Sequence, residues 1–254
     1  MPSSFPFASY KEAWVDFREI TNETSATAKH LIKKTSITKN HSIIDIGCGD
    51  GTLLKSVLNN NFHSIKRAVL VEIEEALLEK AKINLQSLPF SPVCKYINKD
   101  LTLLNINEYQ NSDAILASHV FYLVKDDFLK NFIADIPAGV KIYIILDEPY
   151  SVFDSFWVHT ASFFHERLKL LHNTFSNLPT NFYTTKKTII KSKMKNPLLL
   201  AHDKKINILS LLCYSDINHL FSSDPTFFCS TLKKFQEGNF LTYNSYCYEV
   251  QRIR

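Results

Sequence analysis

The sequence predicts a doubly wound α/β fold built on a mostly parallel, seven-stranded sheet. Three of its five glycines, Gly47, Gly49 and Gly51, follow the apolar run Ile43-Ile44-Asp45-Ile46 and precede Leu53, Leu54, Val57 and Leu58 at helical spacing. That order is a strand, a tight loop and a helix N-terminus. A second apolar run, Ala68 to Val71, ends in the acid Glu72, and a third, Cys94 to Ile97, runs into Asn98-Lys99-Asp100. Helical patterns through Ala76, Leu77, Ala81 and Leu85, and from Asp126 to Ile136, alternate with such runs, as parallel strands joined by right-handed crossovers require.

The remaining elements follow in order. Residues 1–40 form a helical lead-in, amphipathic from about Phe7 to Lys34, and residues 41–150 form the sheet core. A fourth strand, Asp113 to Ser118, ends in His119-Val120-Phe121-Tyr122; a fifth, Val140 to Leu146, ends in Asp147-Glu148-Pro149-Tyr150. Residues 151–238 are expected to be inserted lid structure, with Phe153, Phe156, Trp157, Phe163, Phe164, Leu168 and Leu171 on one helix. Closing strands over about 181–191 and 239–251, with Gly238 before the second, complete the seven and give the sheet a hairpin-like antiparallel edge. Residues 239–254 are the closing-strand segment of what reads as a single domain.

Composition excludes several classes. A chain of 254 residues with 45% hydrophobic content can bury a substantial core. No apolar run of 18 residues predicts a membrane span, and the N-terminus lacks the charged region and long apolar core of a signal peptide. Five cysteines without C-x-x-C spacing read as reduced core thiols, and the expected location is cytoplasmic. The net charge of +4 is mild; Lys186, Lys187, Lys191, Lys193, Lys195, Lys204 and Lys205 offer a basic face that solvation explains without nucleic acid. Zinc-hydrolase, serine-hydrolase and P-loop motifs are absent. His30, His63, His159, His165, His172, His202 and His219 show no tight clustering with carboxylates, so no metal site is expected.

Two ligands compete for the glycine loop. Dinucleotide loops space their glycines G-x-G-x-x-G against a pyrophosphate, whereas this loop reads G-x-G-x-G and carries Asp45 and Asp50. Those acids would repel a pyrophosphate and favour a cationic ligand. The segment Asp45-Ile46-Gly47-Cys48-Gly49-Asp50-Gly51 resembles the first motif of class I S-adenosylmethionine-dependent methyltransferases, whose cofactor carries a sulfonium and an ammonium. The resemblance implies that Asp45, Gly47, Cys48 and Gly49 bind that cofactor, with Ser118 at the fourth strand end, Asp100 at the adenine amino group and Leu101 beside the ring. Glu72, an acid at the carboxyl end of an apolar strand about 20 residues downstream, is read as the ligand of a ribose diol; the alternative is a carboxylate answering a helix N-terminus, a role Glu74 and Glu75 could fill as well.

Methyl transfer from a sulfonium is an in-line displacement, so catalysis is largely alignment and exclusion of water. His119, Tyr122 and Glu148 are the polar groups expected where the acceptor sits, His119 and Tyr122 as the catalytic candidates and Tyr122 and Glu148 as acceptor contacts. No [ND]-P-P-[FYW] motif follows the fourth strand, which argues against methylation of nucleobase exocyclic amines or glutamine amides. Three stretches, Tyr10 to Lys34, His119 to Asp126 and Gly238 to Ser245, are similar to the histamine N-methyltransferases and their relatives. That resemblance implies a small-molecule acceptor with an amine or imidazole nitrogen, held by Glu23 and Asn244. The chain departs from that family at His119, where a glutamine stands, so the resemblance reaches small-molecule methylation rather than histamine itself. The other readings are an RNA or protein methyltransferase and a non-catalytic S-adenosylmethionine-binding module.

Overall fold

A computed structural model describes residues 10–60, 65–89, 92–104, 112–214 and 224–253. In chain order these form α1 (Tyr10–Ile20), α2 (Glu23–Lys34), β1 (Ser42–Ile46), α3 (Thr52–Asn60), β2 (Arg67–Glu72), α4 (Glu75–Gln86), β3 (Val93–Asn98) and β4 (Ala114–Ser118). There follow α5 (Asp126–Asp135), β5 (Lys141–Asp147), α6 (Val152–Thr160), α7 (Ser162–Ser176), β6 (Tyr183–Lys195), α8 (His202–Cys213), α9 (Pro225–Lys233), β7 (Gln236–Glu237) and β8 (Phe240–Arg252). The sheet runs β3-β2-β1-β4-β5-β8-β6, with β7 paired antiparallel to β8. Strands β1 to β5 pair in parallel, and the order reverses between β1 and β4. That reversal is the switch point at which open α/β sheets bind ligands. All of β1 and most of β4 and β5 are buried, as expected of central parallel strands covered on both faces.

The chain divides into two compact units. Residues 27–146, 171–189 and 246–254, here the sheet unit, hold the apolar strands and a ring cluster of Phe121, Phe132, Phe175 and Tyr248. Residues 1–26, 147–170 and 190–245, the aromatic unit, pack Phe17 and Tyr243 edge-on to Phe153, and Trp157 against Phe164. Residues 171–189, inside the segment expected to be the lid, fall in the sheet unit.

The structure corrects several expected boundaries. The lead-in is two helices, because Asn22 leaves the helical ladder: its N–H donates to the Lys193 carbonyl at 3.0 Å and its Oδ1 accepts the Lys193 N–H at 2.7 Å. Thr21 then bridges Met194, and its Oγ1 accepts the Glu23 N–H at 3.1 Å to start α2. The aromatic helix expected through Leu171 also breaks, at Ala161 (φ −149°, ψ 58°), where the Thr160 hydroxyl donates to the Cys213 carbonyl at 2.8 Å. Strand β7 is an eighth, two-residue addition, turning into β8 through Gly238. Strand β8 lies inside the sheet and β6 is the edge. Residues 1–9 of the expected lead-in, and His63 and His219, lie outside the described residues. Among the described residues, no helix is long and apolar enough to cross a membrane.

Candidate active site

Strand register brings the sheet unit's predicted residues to one edge. Ile46 pairs with both Val71 and Ala117, Glu72 pairs with Asn98, and Ser118 pairs with Ile145. The carboxyl ends that carry Gly47, Glu72, Asp100 and Ser118 are therefore level. Gly47 has φ +65°, and a Cβ there would stand 2.6 Å from Val120 Cγ2. Gly51 has φ +72°, and its Cβ would stand 3.0 Å from that of Ala81. Only glycine satisfies both the torsion and the space at these positions.

The two readings of Glu72 turn out to be compatible. One carboxylate oxygen accepts the Gly49 N–H at 2.9 Å, and the other accepts the Glu74 N–H at 3.0 Å just before α4. A carboxylate offers about four lone-pair sites, so two backbone bonds leave acceptor capacity for a diol. Asp50 turns the other way: its Oδ1 accepts from the Thr52 N–H at 3.1 Å and the Thr52 hydroxyl at 2.6 Å, capping α3. Asp100 caps the short turn Leu101–Leu103 through bonds of 2.8 Å from the Thr102 N–H and hydroxyl, leaving its second oxygen outside the cap. Leu101 is buried beside it.

Burial, and then the Glu72 charge, push the Asp45 carboxyl up to about 8. Asp45 therefore keeps its proton at neutral pH in the ligand-free protein, and a cation arriving beside it would favour the carboxylate. Burial also pushes the Cys48 thiol up, which leaves it a small apolar group in the loop rather than a nucleophile.

Beyond β4, His119 adopts φ +56°, a left-handed conformation that costs a histidine about 1–2 kcal/mol. Its N–H extends the β4–β5 ladder to the Ile145 carbonyl at 3.0 Å. Its Nδ1 lies 3.3 Å from the hydroxyl of Tyr122, itself buried in the turn Phe121–Leu123. Such strained backbone concentrates at functional sites.

Residues 37–146, which span this whole edge, match the family model of a methyltransferase domain. This stretch is a methyltransferase domain. The structure resembles the methyltransferase domain of bacterial CtHen1-C, at 13% identity and a TM-score of 0.52, over 89% of this chain and 98% of that one. It also resembles the plantazolicin methyltransferase BpumL in complex with a triazolic desmethylPZN analog and SAH, at 14% identity and a TM-score of 0.55, over 95% of this chain and 90% of that one. At those identities the likeness bears on the fold, which is the class I methyltransferase fold. No match was found among curated proteins. In the methyltransferase domain the donor set fits the cofactor: an acid with spare acceptor sites at the second strand end and an Asp100 oxygen outside the turn cap at the third.

The aromatic unit holds the other predicted residues. The Asn244 Nδ2 donates to the Glu148 Oε2 at 2.7 Å, and the Glu148 N–H donates to the Asn244 carbonyl at 3.0 Å. Glu23 stands at the start of α2, and Asp147, nine-tenths or more buried, ends β5. Burial, then the Glu23 charge, with Asp147 adding, hold the buried Tyr243 hydroxyl well above its ordinary range. That hydroxyl shares a 2.6 Å hydrogen bond with Thr21. Sequence reasoning passed over Thr21, Asp147 and Tyr243; Asp147 and Tyr243 directly precede Glu148 and Asn244, and that adjacency was the one available signal.

Glu148-Pro149-Tyr150-Ser151 is a turn closed by the Ser151 N–H on the Glu148 carbonyl at 3.0 Å. Proline in second place and φ +66° at Tyr150 in third give it type II form, in which the third residue is ordinarily glycine. The histidines were also under-read: the His165 Nδ1 lies 2.7 Å from the Asp154 Oδ1, and both residues are buried. Several lysines of the supposed basic face have local partners. Lys186 donates to the Lys34 carbonyl, Lys187 stands 3.6 Å over the Tyr246 ring, Lys193 pairs with Glu237, and Lys204 with Asp16 and Glu19.

Proposed function

We propose that the protein transfers a methyl group from S-adenosylmethionine to a nitrogen of a small amine or imidazole, in the manner of the histamine N-methyltransferase group. Asp45, Gly47, Cys48, Gly49, Glu72, Asp100, Leu101 and Ser118 are the cofactor residues in this reading. The ribose falls to Glu72, the adenine amino group to Asp100 and the ring to Leu101. When bound, the cofactor supplies an already activated methyl group, so the protein has only to align a neutral lone pair about 3 Å from it and keep water away.

The observation that carries the acceptor reading is the grouping of Glu23 and Asp147 around Tyr243, with the next residue after each of the latter two, Glu148 and Asn244, bonded to one another. Carboxylates beside an amide and buried rings suit a small cationic or imidazole-bearing amine, the acids attracting it and the amide fixing its orientation. His119, hydrogen-bonded to Tyr122, is the group suited to take up the acceptor's proton. The local partners of Lys186, Lys187, Lys193 and Lys204 argue against a continuous RNA-binding stripe.

A screen of small amines and imidazoles with methyl-labelled cofactor, with bulk RNA and histone as controls, tests the proposal. Label in one or more small amines and none in the controls is expected. Label in RNA or histone alone would overturn the acceptor class, and cofactor binding without transfer to any of these would support a binding module instead.

A further inference from the structure

We infer that Asp154 and His165 are positioning residues for the acceptor pair, holding the turn Glu148–Ser151 so that the Glu148 carboxylate stays on the Asn244 amide. The inference rests on the reading of Glu148 and Asn244 as acceptor contacts.

Asp154 has no exposed surface, and a carboxylate so placed needs partners for both oxygens. Its Oδ1 meets the His165 Nδ1 at 2.7 Å, and its Oδ2 accepts the Tyr150 N–H at 2.7 Å. The backbone of the one strained residue in the turn is thus bonded to a side chain that a histidine holds from behind. At its other end the turn is tied by Glu148, which bonds Asn244 through both its N–H and its carboxylate. The Asp154 N–H on the Ser151 hydroxyl, at 3.4 Å, and the Ser155 N–H on the Ser151 carbonyl, at 2.9 Å, join the turn to α6.

The two ends have different requirements. The Glu148 end is satisfied by β8, whereas a tyrosine at φ +66° reverts to negative φ unless something captures its N–H. Reversion would swing the Pro149–Tyr150 peptide and carry Glu148 with it. Asp154 supplies the capture, and His165 fixes which oxygen is left to do so. A buried hydrogen-bonded pair with a purely structural role would stabilise α6 and α7 and leave the Glu148–Asn244 bond indifferent to the residue at 150.

The test is read on the full-length, 15N-labelled chain through the side-chain amide resonances of Asn244, assigned by their loss in Asn244→Asp. Asp154→Ala is expected to reduce the hydrogen-bonded population about tenfold, moving those resonances toward free-amide positions. Tyr150→Gly added to Asp154→Ala is expected to restore them, because glycine holds positive φ unaided. His165→Ala, which keeps the carboxylate, is the milder second variant and should shift them in the same direction should Asp154→Ala fail to fold. Unmoved resonances in either folded variant, or no restoration by Tyr150→Gly, would overturn the inference. Failure of the acceptor reading is separate: it would show as unchanged amine turnover in Glu148→Gln.

Discussion

Glu148 and Asn244 bond each other twice, side chain to side chain at 2.7 Å and backbone to backbone at 3.0 Å, so the carboxylate is oriented before any acceptor arrives. Asn244→Ala should therefore raise KM for accepted amines about tenfold or more, since a hydrogen bond to a charged group contributes about 1.5–3 kcal/mol. Cofactor affinity should stay within about twofold, since the proposed cofactor residues do not include Asn244. Steady-state kinetics with calorimetry decides it, and unchanged turnover of every accepted amine would remove Asn244 from acceptor binding.

Glu72 links the glycine loop to the start of α4, so its two losses can be separated. Glu72→Ala should weaken cofactor binding at least tenfold and lower stability by about 1–3 kcal/mol, because the Gly49 and Glu74 N–H groups lose their acceptor. Glu72→Gln keeps one acceptor oxygen and should lose less of both. Calorimetry and thermal melts measure the two effects, and wild-type affinity in a folded Glu72→Ala variant would refute the ribose assignment.

Gly47→Ala places a methyl 2.6 Å from Val120 Cγ2 on a backbone at φ +65°. Left-handed strain and overpacking together should cost about 2–5 kcal/mol. Adding Val120→Ala removes the nearer clash and should recover part of the loss, which denaturant melts of the single and double variants would reveal.

Asp45, with its carboxyl pushed up to about 8 in the ligand-free protein, gives a pH dependence of definite sign. Between the ordinary carboxylate range near 4 and about 8, the folded state binds a proton that the unfolded state has lost. The contribution of this group to stability is present below pH 4 and falls as pH rises through that window. Asp45→Asn should flatten that slope in thermal melts taken across it. Cofactor binding should release a proton near pH 7, measurable as buffer-dependent calorimetric heat; a slope identical in the two proteins would refute the assignment.

The sheet was legible because Ala68 to Val71 and Ile142 to Leu146 are unbroken apolar runs and Ile43 to Ile46 is interrupted only by Asp45, and burial on both faces leaves such strands no other pattern. The glycine loop was legible because space and torsion leave Gly47 no alternative. The helix break at Asn22 was not, since a distant partner at Lys193 makes it, and no local signal announces a backbone group taken by another element. The same reason hid Asp154 and His165: eleven positions apart, they meet only because the chain bends between α6 and α7. Glu148 was singled out as a polar group at a strand's carboxyl end and Asn244 through family resemblance, and their direct bond is information that only the fold supplies.

Strand β6 has a consequence for solubility. Thirteen residues long and last in the sheet, it offers, short of the stretch at Lys193 and Met194 that Asn22 and Thr21 occupy, a template on which a second chain would add a strand. Lys187, Lys191, Lys193 and Lys195 are all exposed at alternating positions along it. A copy laid alongside would set like charges against one another, which disfavours pairing. Much of the chain's modest positive charge is thus spent where aggregation would begin, and an engineer who neutralised these lysines to suppress nonspecific nucleic-acid binding would remove the guard on that edge.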